Sequence, residues 1–445
     1  MTVLKLESSR WVGGFPHMLA PPTWLLFLSQ FAGSFTAPGG QLFEQLLTAW
    51  VLCPGRHTLT RLWSVIPEAQ RRQYGAYARW VRCGRWSMDR LWRQLLLHLV
   101  ARWVPEGRLT LVLDDTLMKK SGSKINGAGN FRDAVHSTHA RPVLTLGLNI
   151  VVLALRVAPP WGGEPLALPV LVRLHRKGGA NMIQLAIEMI EQVAQWLPER
   201  DFCVVADGAY APLIRYSLPR TIVVSRMRRN AALYEPPPPR TGMRGRPRKK
   251  GRRLASLPEL AKSVTGWTRE TVSIRGRVEQ RDLWAREVLW YLACPDRTVL
   301  LVIVRDPQGL EPDDYFVTTD TAAQPAQVAS AYADRWAIED TFRNTKQFLG
   351  AEDPQSWVGA GPERVVALAC WMSAAVWDWF VATPSQQSLW PARPWYPSKH
   401  TPSFQDAVAS LRREVWTRTI FDASPHRRLS RKNATALLDV LAEAA

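Results

Sequence analysis

Apolar residues recur at three- and four-residue spacing across residues 23–104, as in "WLLFLSQFAGSF" and "MDRLWRQLLLHLVARW". This spacing places the apolar side chains on one face of a helix. Prolines such as Pro54 and Pro67 separate the segments, because proline interrupts a helix. The pattern predicts a helical N-terminal region over residues 1–105.

After residue 105 the pattern changes to short apolar runs that are typical of strands. An amphipathic helix interrupts them, and a second helix is expected after the run that ends in "ADGAY". The order β-β-β-α-β-α-β predicts an α/β fold, a mixed sheet with helices packed on it, over residues 106–227. In chain order the elements are "RLTLVLDDT", "VLTLGLNIVVLALRV" (143–157), "LALPVLVRLHR" (166–176), the helix "NMIQLAIEMIEQVAQWL" (181–197), "FCVVADGAY" and "RTIVVSRM" (220–227).

The alternation breaks between residues 228 and 298. "YEPPPPRTGMRGRPRKKGRR" (234–253) is rich in proline and basic residues and cannot form a core. Behind it, "ETVSIRGRVEQRDLWAREVLWYLA" alternates like a pair of strands. We predict a β-rich insertion at 228–298, a return of the core at 299–382 with "TVLLVIVRD" and "YFVTTD", and a helical C-terminal region at 383–445.

The charge of the chain points to a polyanionic partner. Lys and Arg outnumber Asp and Glu by 57 to 38 over 445 residues, a net charge of +19. Nucleic acid is the usual partner of so basic a protein. A generally basic, arginine-rich proteome is the alternative explanation.

Cysteine usage and hydropathy favour a cytoplasmic protein with no membrane partner. The five cysteines are scattered, without a C-x-x-C pair, which argues against a zinc site or a disulfide framework. No secretory signal pattern is evident. The most apolar stretch, Val365–Ala382, is only marginally long enough to cross a membrane and carries Asp378. A buried helix is therefore predicted there.

Acidic residues stand out at three places. Asp114 and Asp115 end the first predicted core strand, Asp207 ends a later one, and Glu339 lies on a predicted helix after the insertion. Carboxylates at strand ends, joined by one from a helix, form an oxygen-rich pocket suited to Mg²⁺ or Mn²⁺. Each acid alone has an ordinary explanation as a turn cap or a surface ion pair. The combination supports a metal site.

The third acid belongs to the stretch "YADRWAIEDTFRNTKQFL" (332–349). Tyr332, Arg335, Glu339 and Lys346 stand at offsets 0, 3, 7 and 14. At about 100° per residue they fall on one side of a helix. The residues predicted to anchor this helix to the sheet are Trp336, Ile338, Phe342 and Leu349.

This spacing resembles the Tyr-Arg-Glu-Lys signature of bacterial insertion-sequence DDE transposases of the insertion-sequence-four superfamily. "LVLDDTLMKKSG" resembles their first-aspartate strand, in which Asp-x-Thr precedes basic residues, and "VVADGAY" resembles their second. The resemblance covers residues 109–360. It implies an RNase H-like core with a catalytic Asp-Asp-Glu triad, so we expect an RNase H-like mixed sheet flanked by helices.

The resemblance assigns the acids to catalysis. Asp114, Asp207 and Glu339 would hold two Mg²⁺ (or Mn²⁺) ions, which activate the nucleophile and stabilise the leaving oxygen of a phosphodiester. The Asp-x-Thr pattern favours Asp114 as the first ligand. Asp115 stays open as the alternative, because neighbours on a strand point to opposite faces.

The resemblance also implies contacts with double-stranded DNA. Tyr332, Arg335 and Lys346 would contact the backbone near the scissile phosphate, since arginine binds phosphate as a bidentate fork and lysine as a point charge. A homodimer on paired transposon ends is expected. In relatives that form DNA hairpins, a tryptophan of the insertion stacks on a flipped base. The candidates here are Trp267, Trp284 and Trp290.

The basic loop offers a separate DNA contact. Arg244-Gly245-Arg246-Pro247 matches the core of an AT-hook, whose arginines enter narrow A·T-rich minor grooves, and Arg248 follows it. Chance is a rival explanation for so short a match in an arginine-rich chain. A general contact with the DNA backbone is the alternative to a true AT-hook.

The sequence thus predicts a transposase that cleaves phosphodiesters at the ends of a mobile element and joins the 3′ ends to target DNA. Two alternatives remain. One is a domesticated, non-cutting DNA-binding regulator on the same scaffold, and the other is a nuclease that cuts but does not join.

Overall fold

The computed structural model describes residues 22–133, 136–138, 140–238, 248–383, 395–417, 437, 438 and 440–442. Helices dominate both ends of the described chain, and strands dominate the middle. The helices are α1 (Thr23–Ser29), α2 (Ala37–Leu52), α3 (Leu59–Val65), α4 (Tyr74–Cys83), α5 (Met88–Trp103), α6 (Met182–Trp196), α7 (Leu257–Ser263), α8 (Pro325–Asp334), α9 (Ala337–Gln347), α10 (Gly361–Ala382) and α11 (Phe404–Trp416). The strands are β1 (Leu109–Lys119), β2 (Gly129–Arg132), β3 (Leu144–Val157), β4 (Leu166–His175), β5 (Phe202–Ala206), β6 (Thr221–Arg226), β7 (Thr268–Ile274), β8 (Arg277–Val288), β9 (Val299–Arg305) and β10 (Asp314–Thr318).

These strands form one mixed sheet in the order β2-β3-β1-β5-β6-β10-β9-β8-β7, and β4 also pairs with β3. The pairs β1–β5 and β5–β6 are parallel, and the others are antiparallel. Helices cover the sheet. The predicted α/β architecture, an RNase H-like mixed sheet flanked by helices, is confirmed.

The apolar runs became strands because both faces of the sheet are covered. In β3 the side chains from Leu148 to Leu155 are all buried, which explains why its sequence is apolar almost throughout instead of alternating. Helix α6 begins with a capping box between Asn181 and Gln184 and buries its apolar stripe. Its bounds and those of β3 and β4 lie within one residue of the prediction.

The predicted α-helix between β5 and β6 is wrong. In its place is a 3₁₀ turn at Ala211–Arg215. Pro219 follows four residues after the turn, and proline is disfavoured inside a helix, so the connection holds a single short turn instead of an α-helix.

The first strand is longer than predicted. Asp114 and Asp115 do not end β1, which continues to Lys119 because the long partner β3 pairs with it throughout, from Leu111 opposite Leu155 to Lys119 opposite Gly147. The two acids therefore lie within the strand, and their side chains point to opposite faces of the sheet.

The predicted single helix over 332–349 is two helices. Helix α8 ends at Asp334 and α9 begins at Ala337. Between them the backbone N–H groups bond to the carbonyl three residues earlier, from Arg335 N to Tyr332 O (3.1 Å) and from Glu339 N to Trp336 O (3.0 Å). This tight 3₁₀ turn changes the angular spacing on which the one-sided stripe was predicted.

The anchoring prediction for this region is confirmed for three residues and wrong for one. Ile338, Phe342 and Leu349 are buried, whereas Trp336 is 43% exposed. The guanidinium of Arg275 lies 4.4 Å from the centre of the Trp336 ring. The 3₁₀ turn accounts for the exposure, because it rotates Trp336 away from the buried side of α9.

Residues 228–298 contribute α7 and the hairpin β7–β8, and β8 pairs with β9, so the hairpin extends the core sheet. Its turn uses positive φ at Arg275 (52°) and Gly276 (75°). A Cβ on Gly276 would lie 2.2 Å from the Gly163 carbonyl, so only glycine fits this contact. The domain boundaries stay predictions.

Helix α10 is long and apolar enough to cross a membrane, but 89% of its most apolar stretch is buried within the described fold. The predicted buried helix is confirmed. Asp378 of this helix is fully buried and binds His98 (2.7 Å), Arg102 (3.1 Å) and Trp103 Nε1 (2.8 Å) of α5. The charge is paired, as burial requires.

Candidate active site

Two of the predicted acids meet where β1 runs beside β5. The parallel register places Leu113 opposite Ala206, so Asp114 and Asp207 stand one step further along adjacent strands. Neighbouring strands lie about 4.8 Å apart. Asp207 begins a turn in which its Oδ1 accepts a hydrogen bond from Ala209 N (2.8 Å). Ser225 Oγ donates to the Asp207 carbonyl (2.8 Å) and holds this turn against β6.

The third acid, Glu339, is linked to Asp114 by an arginine. Arg335 donates from Nη1 to Asp114 Oδ2 at 2.6 Å and from Nη2 to Glu339 Oε1 at 3.0 Å. The side chain of Arg335 is only 9% exposed, so this guanidinium lies between two carboxylates away from bulk water. Arg335 thus joins the acids of β1 and α9, and the charge of Asp207, at the β5 turn, also acts on Asp114.

The helix that carries Glu339 is fixed at its start by two contacts with the sheet. Arg156 of β3 pairs with Asp334 at 2.5 Å, at the end of α8. Thr341 Oγ1 donates to the Ala167 carbonyl of β4 at 2.7 Å. These contacts bracket the 3₁₀ turn and determine where Arg335 and Glu339 lie.

Asp115 points to the other face. Its Oδ1 accepts a hydrogen bond from Tyr210 Oη (3.1 Å), and Tyr210 is fully buried. Tyr210 and Asn149 both contact the sulfur of Met182, the first residue of α6. Of the two neighbouring aspartates, only Asp114 contacts Arg335.

The site concentrates negative charge in a poorly solvated place. Burial raises the pKa of Asp114 to about 7, the charge of Arg335 opposes this, and the charges of Asp207 and Asp115 add to it. Carboxylates whose pKa is raised by burial and by like charges mark sites that are stabilised by a cation.

Of the other two signature residues, Tyr332 packs on β10 and Lys346 binds β1. The ring of Tyr332 lies 4.4 Å from that of Phe316 and 5.5 Å from the Arg335 guanidinium. Lys346 Nζ donates to Thr116 Oγ1 at 2.9 Å. Thr116 was not predicted as a site residue, although residues two apart on a strand share a face and Asp-x-Thr places it beside Asp114.

Of the three arginines predicted to contact DNA from the basic loop, one lies among the described residues. Arg244 and Arg246 lie outside the described residues, and Arg248 is exposed. Just after it, the ammonium of Lys250 lies 4.2 Å from the centre of the Tyr234 ring and 4.8 Å from that of Tyr291. The three candidate tryptophans, Trp267, Trp284 and Trp290, all pack partly buried against the core.

The three acids carry the donor atoms that a divalent metal ion prefers, but their present positions do not surround an ion. Within the part of the chain that the structure describes, no three His, Cys, Asp or Glu side chains are close enough to hold an ion. Arg335 occupies the space between Asp114 and Glu339. The donors are carboxylate oxygens, which suit Mg²⁺ and Mn²⁺, so binding would require the guanidinium to move.

Comparison with known proteins identifies a related family. The model of the family described as "DDE superfamily endonuclease" matches residues 30–291. The match includes Asp114 and Asp207 and ends before Glu339. Comparison with curated proteins gives no significant match.

Proposed function

Because this chain belongs to the family of DDE superfamily endonucleases, nuclease-type enzymes that act on DNA, we propose that it is a DNA transposase of the insertion-sequence-four type. It would cleave phosphodiesters at the ends of its element and join the 3′ ends to target DNA. The observation that carries this proposal is the Arg335 bridge between Asp114 and Glu339, beside Asp207.

Asp114, Asp207 and Glu339 are the proposed ligands of two Mg²⁺ or Mn²⁺ ions. Such ions activate a water or a 3′-hydroxyl and stabilise the leaving oxygen in an in-line displacement. The chain supplies positions and charges. Asp114 comes from a strand that is paired on both edges, with β3 and with β5, and Glu339 comes from a helix tied to β4, which keeps the carboxylates in place.

In this proposal Arg335 binds carboxylates before the metal ions bind and a DNA phosphate afterwards. Without metal it neutralises Asp114 and Glu339. Once cations bind these carboxylates, its fork is free to bind a phosphate oxygen pair of the DNA. Lys346 and Tyr332 flank it on the same side and would hold neighbouring phosphates.

The net charge of +19 supports a double-stranded DNA partner. The exposed Arg248, with Arg244 and Arg246 before it in the chain, would add backbone contacts. The N-terminal helices would read the transposon ends, and a homodimer would hold two ends together. Cytoplasmic localisation, on the bacterial nucleoid, is part of the same proposal.

The test is cleavage of DNA that carries the element's own ends, with Mg²⁺. We expect Glu339→Gln to bind this DNA as the wild type does and to cut at least about 1,000-fold more slowly, because it keeps the shape of the side chain and removes its charge. The matched control is Asp340→Asn on the same helix. Asp340 pairs with Arg343 on the surface, and its loss should leave cleavage unchanged.

Two outcomes would contradict the proposal. If wild type and Glu339→Gln bind equally and neither cuts, a non-catalytic regulator replaces the enzyme. If the wild type cuts but leaves no covalent insertions in a supercoiled target, the protein is a nuclease without joining activity.

A further inference from the structure

A cleft of about 750 Å³ opens at the far end of β1. One wall is the loop that follows β1, from Lys119 to Ile125, and the other is the segment from Glu352 to Trp357. Arg56, from the N-terminal helical region, also lines it. None of these residues belongs to the carboxylate site, so the cleft is a separate feature of the molecule.

Both walls are held in place by hydrogen bonds to main-chain carbonyls. Lys120 Nζ binds the carbonyls of Glu352 (2.7 Å) and Pro354 (3.3 Å) across the cleft. Asn126 donates from its backbone N to the Trp357 carbonyl (3.0 Å) and from Nδ2 to the Gly359 carbonyl (2.8 Å). The cleft is therefore shaped in advance, which lowers the entropy cost of binding.

The surface of the cleft has excess positive charge. Lys124 is exposed, and Arg56 and Lys119 are 70% and 44% exposed at their side chains, although Arg56 pairs with Asp353 (3.8 Å) and Lys119 with Asp133 (3.0 Å). The two acids of the cleft are bound to main-chain amides: Glu352 Oε1 accepts from Lys119 N, and Asp353 Oδ2 accepts from His57 N, each at 2.9 Å. Within the described residues Lys124 forms no ion pair, and the exposed pair between Arg56 and Asp353 is weak, so these two cations are available to a phosphate.

Trp357 adds an aromatic platform to these cations. Only three tryptophans are exposed among the described residues. Arg275 covers Trp336, and Trp395 lies outside the cleft. Trp357 is 56% exposed, and no other ring stacks on it within the described chain. Exposed aromatic rings beside lysine and arginine are typical of sites for single-stranded nucleic acid, where bases stack and phosphates pair.

The cleft lies on the same strand as the active site, further along β1. From Asp114 to Lys119 is five residues of strand, about 17 Å. Lys346, bound to Thr116, stands between them. At 3.4 Å per stacked nucleotide this distance corresponds to about five nucleotides.

We propose that this cleft binds a short unpaired strand of DNA about five nucleotides from the phosphate at Asp114, with a base stacked on Trp357 and phosphates on Arg56 and Lys124. The identity of the strand as DNA rests on the proposed function. The binding itself requires neither metal nor cleavage, so the two can fail separately.

The test is a binding titration in EDTA with two labelled DNA duplexes, one blunt and one with an unpaired tail of about six nucleotides, within the usual site sizes for such strands. We expect the wild type to bind the tailed duplex about 10-fold more tightly, and Trp357→Ala to lose this preference, since stacking on one ring supports a change of this size. Trp357→Phe should keep most of it, and Trp395→Ala all of it. A 2-aminopurine base in the tail should be quenched by the wild type and not by Trp357→Ala.

A second variant tests the charges without changing the ring. Replacing both Arg56 and Lys124 by glutamine should reduce the slope of log K against log salt by about 1.4 for the unpaired tail, at 0.7 per phosphate contact. Equal affinity of the wild type for blunt and tailed duplexes would overturn the proposal, as would an unchanged preference in Trp357→Ala. A wild type that cleaves element ends but shows no tail preference removes this inference alone.

Discussion

Asp114 and Asp115 are neighbours on one strand and have opposite surroundings. Asp114 lies on the side of α9, where a buried guanidinium binds it and Asp207 stands beside it. Asp115 lies on the side of α6, where the neutral hydroxyl of Tyr210 binds it. Burial raises the pKa of both carboxyls.

The difference separates a carboxylate that is bound by a charged guanidinium from one that is bound by a neutral hydroxyl. A carboxylate that lies beside a second carboxylate and is bound by an arginine can exchange the arginine for a metal ion. A carboxylate held by a buried phenol already has its partner, and its removal disturbs packing more than chemistry. We therefore propose that the first face is catalytic and the second is structural.

The largest expected effect is on cleavage. Asp114→Asn should slow Mg²⁺-dependent cutting of element ends by about 1,000-fold or more, because a metal ligand is lost. Asp115→Asn should slow it by at most about 100-fold, as expected for a residue that supports the site from behind, since asparagine still accepts from Tyr210 Oη. The two rates are compared at equal DNA occupancy. A larger loss in Asp115→Asn would assign the metal to the other face.

A smaller effect is expected on the response of stability to metal. Mg²⁺ at about ten times its dissociation constant should raise the free energy of unfolding of the wild type by about 1.4 kcal/mol without any DNA. Urea unfolding followed by tryptophan fluorescence measures this change. Asp115→Asn should keep the response and Asp114→Asn should lose it. Equal responses in all three proteins would mean that Mg²⁺ binds elsewhere.

The smallest effect is expected on the structural face. Tyr210→Phe removes the hydroxyl that donates to Asp115 and should lower the free energy of unfolding by about 1 kcal/mol. The response to Mg²⁺ should not change, since Asp114 keeps its surroundings. A Tyr210→Phe protein of normal stability that no longer responds to Mg²⁺ would erase the distinction between the two faces.

Apolar periodicity was enough to predict β3, β4 and α6 to within one residue, because each buries a continuous face and therefore carries a strong pattern. It gave wrong bounds where contacts with distant parts of the chain determine the length of an element. The length of β1 depends on pairing with β3, and the break at Arg335 depends on how α8 and α9 each meet the sheet. Neither partner is visible in the local sequence.

The candidate site shows the same division. The residue types and their order along the chain were enough to single out Asp114, Asp207, Glu339 and Arg335. The cleft at Trp357 could not be found this way, since its walls come from segments far apart in the chain. Lys119 and Lys120 were visible only as basic residues after the first acid.

By itself, the sequence determined the class of fold, the order of the acids and the excess of positive charge, because these depend on residue type and spacing alone. The tertiary structure decided which aspartate faces Arg335 and which exposed tryptophan stands among cations. The physical reason is that a strand offers both faces equally until other elements cover them. Here α9 and the turn before it cover one face with the guanidinium of Arg335, and α6 covers the other with the hydroxyl of Tyr210 beside it.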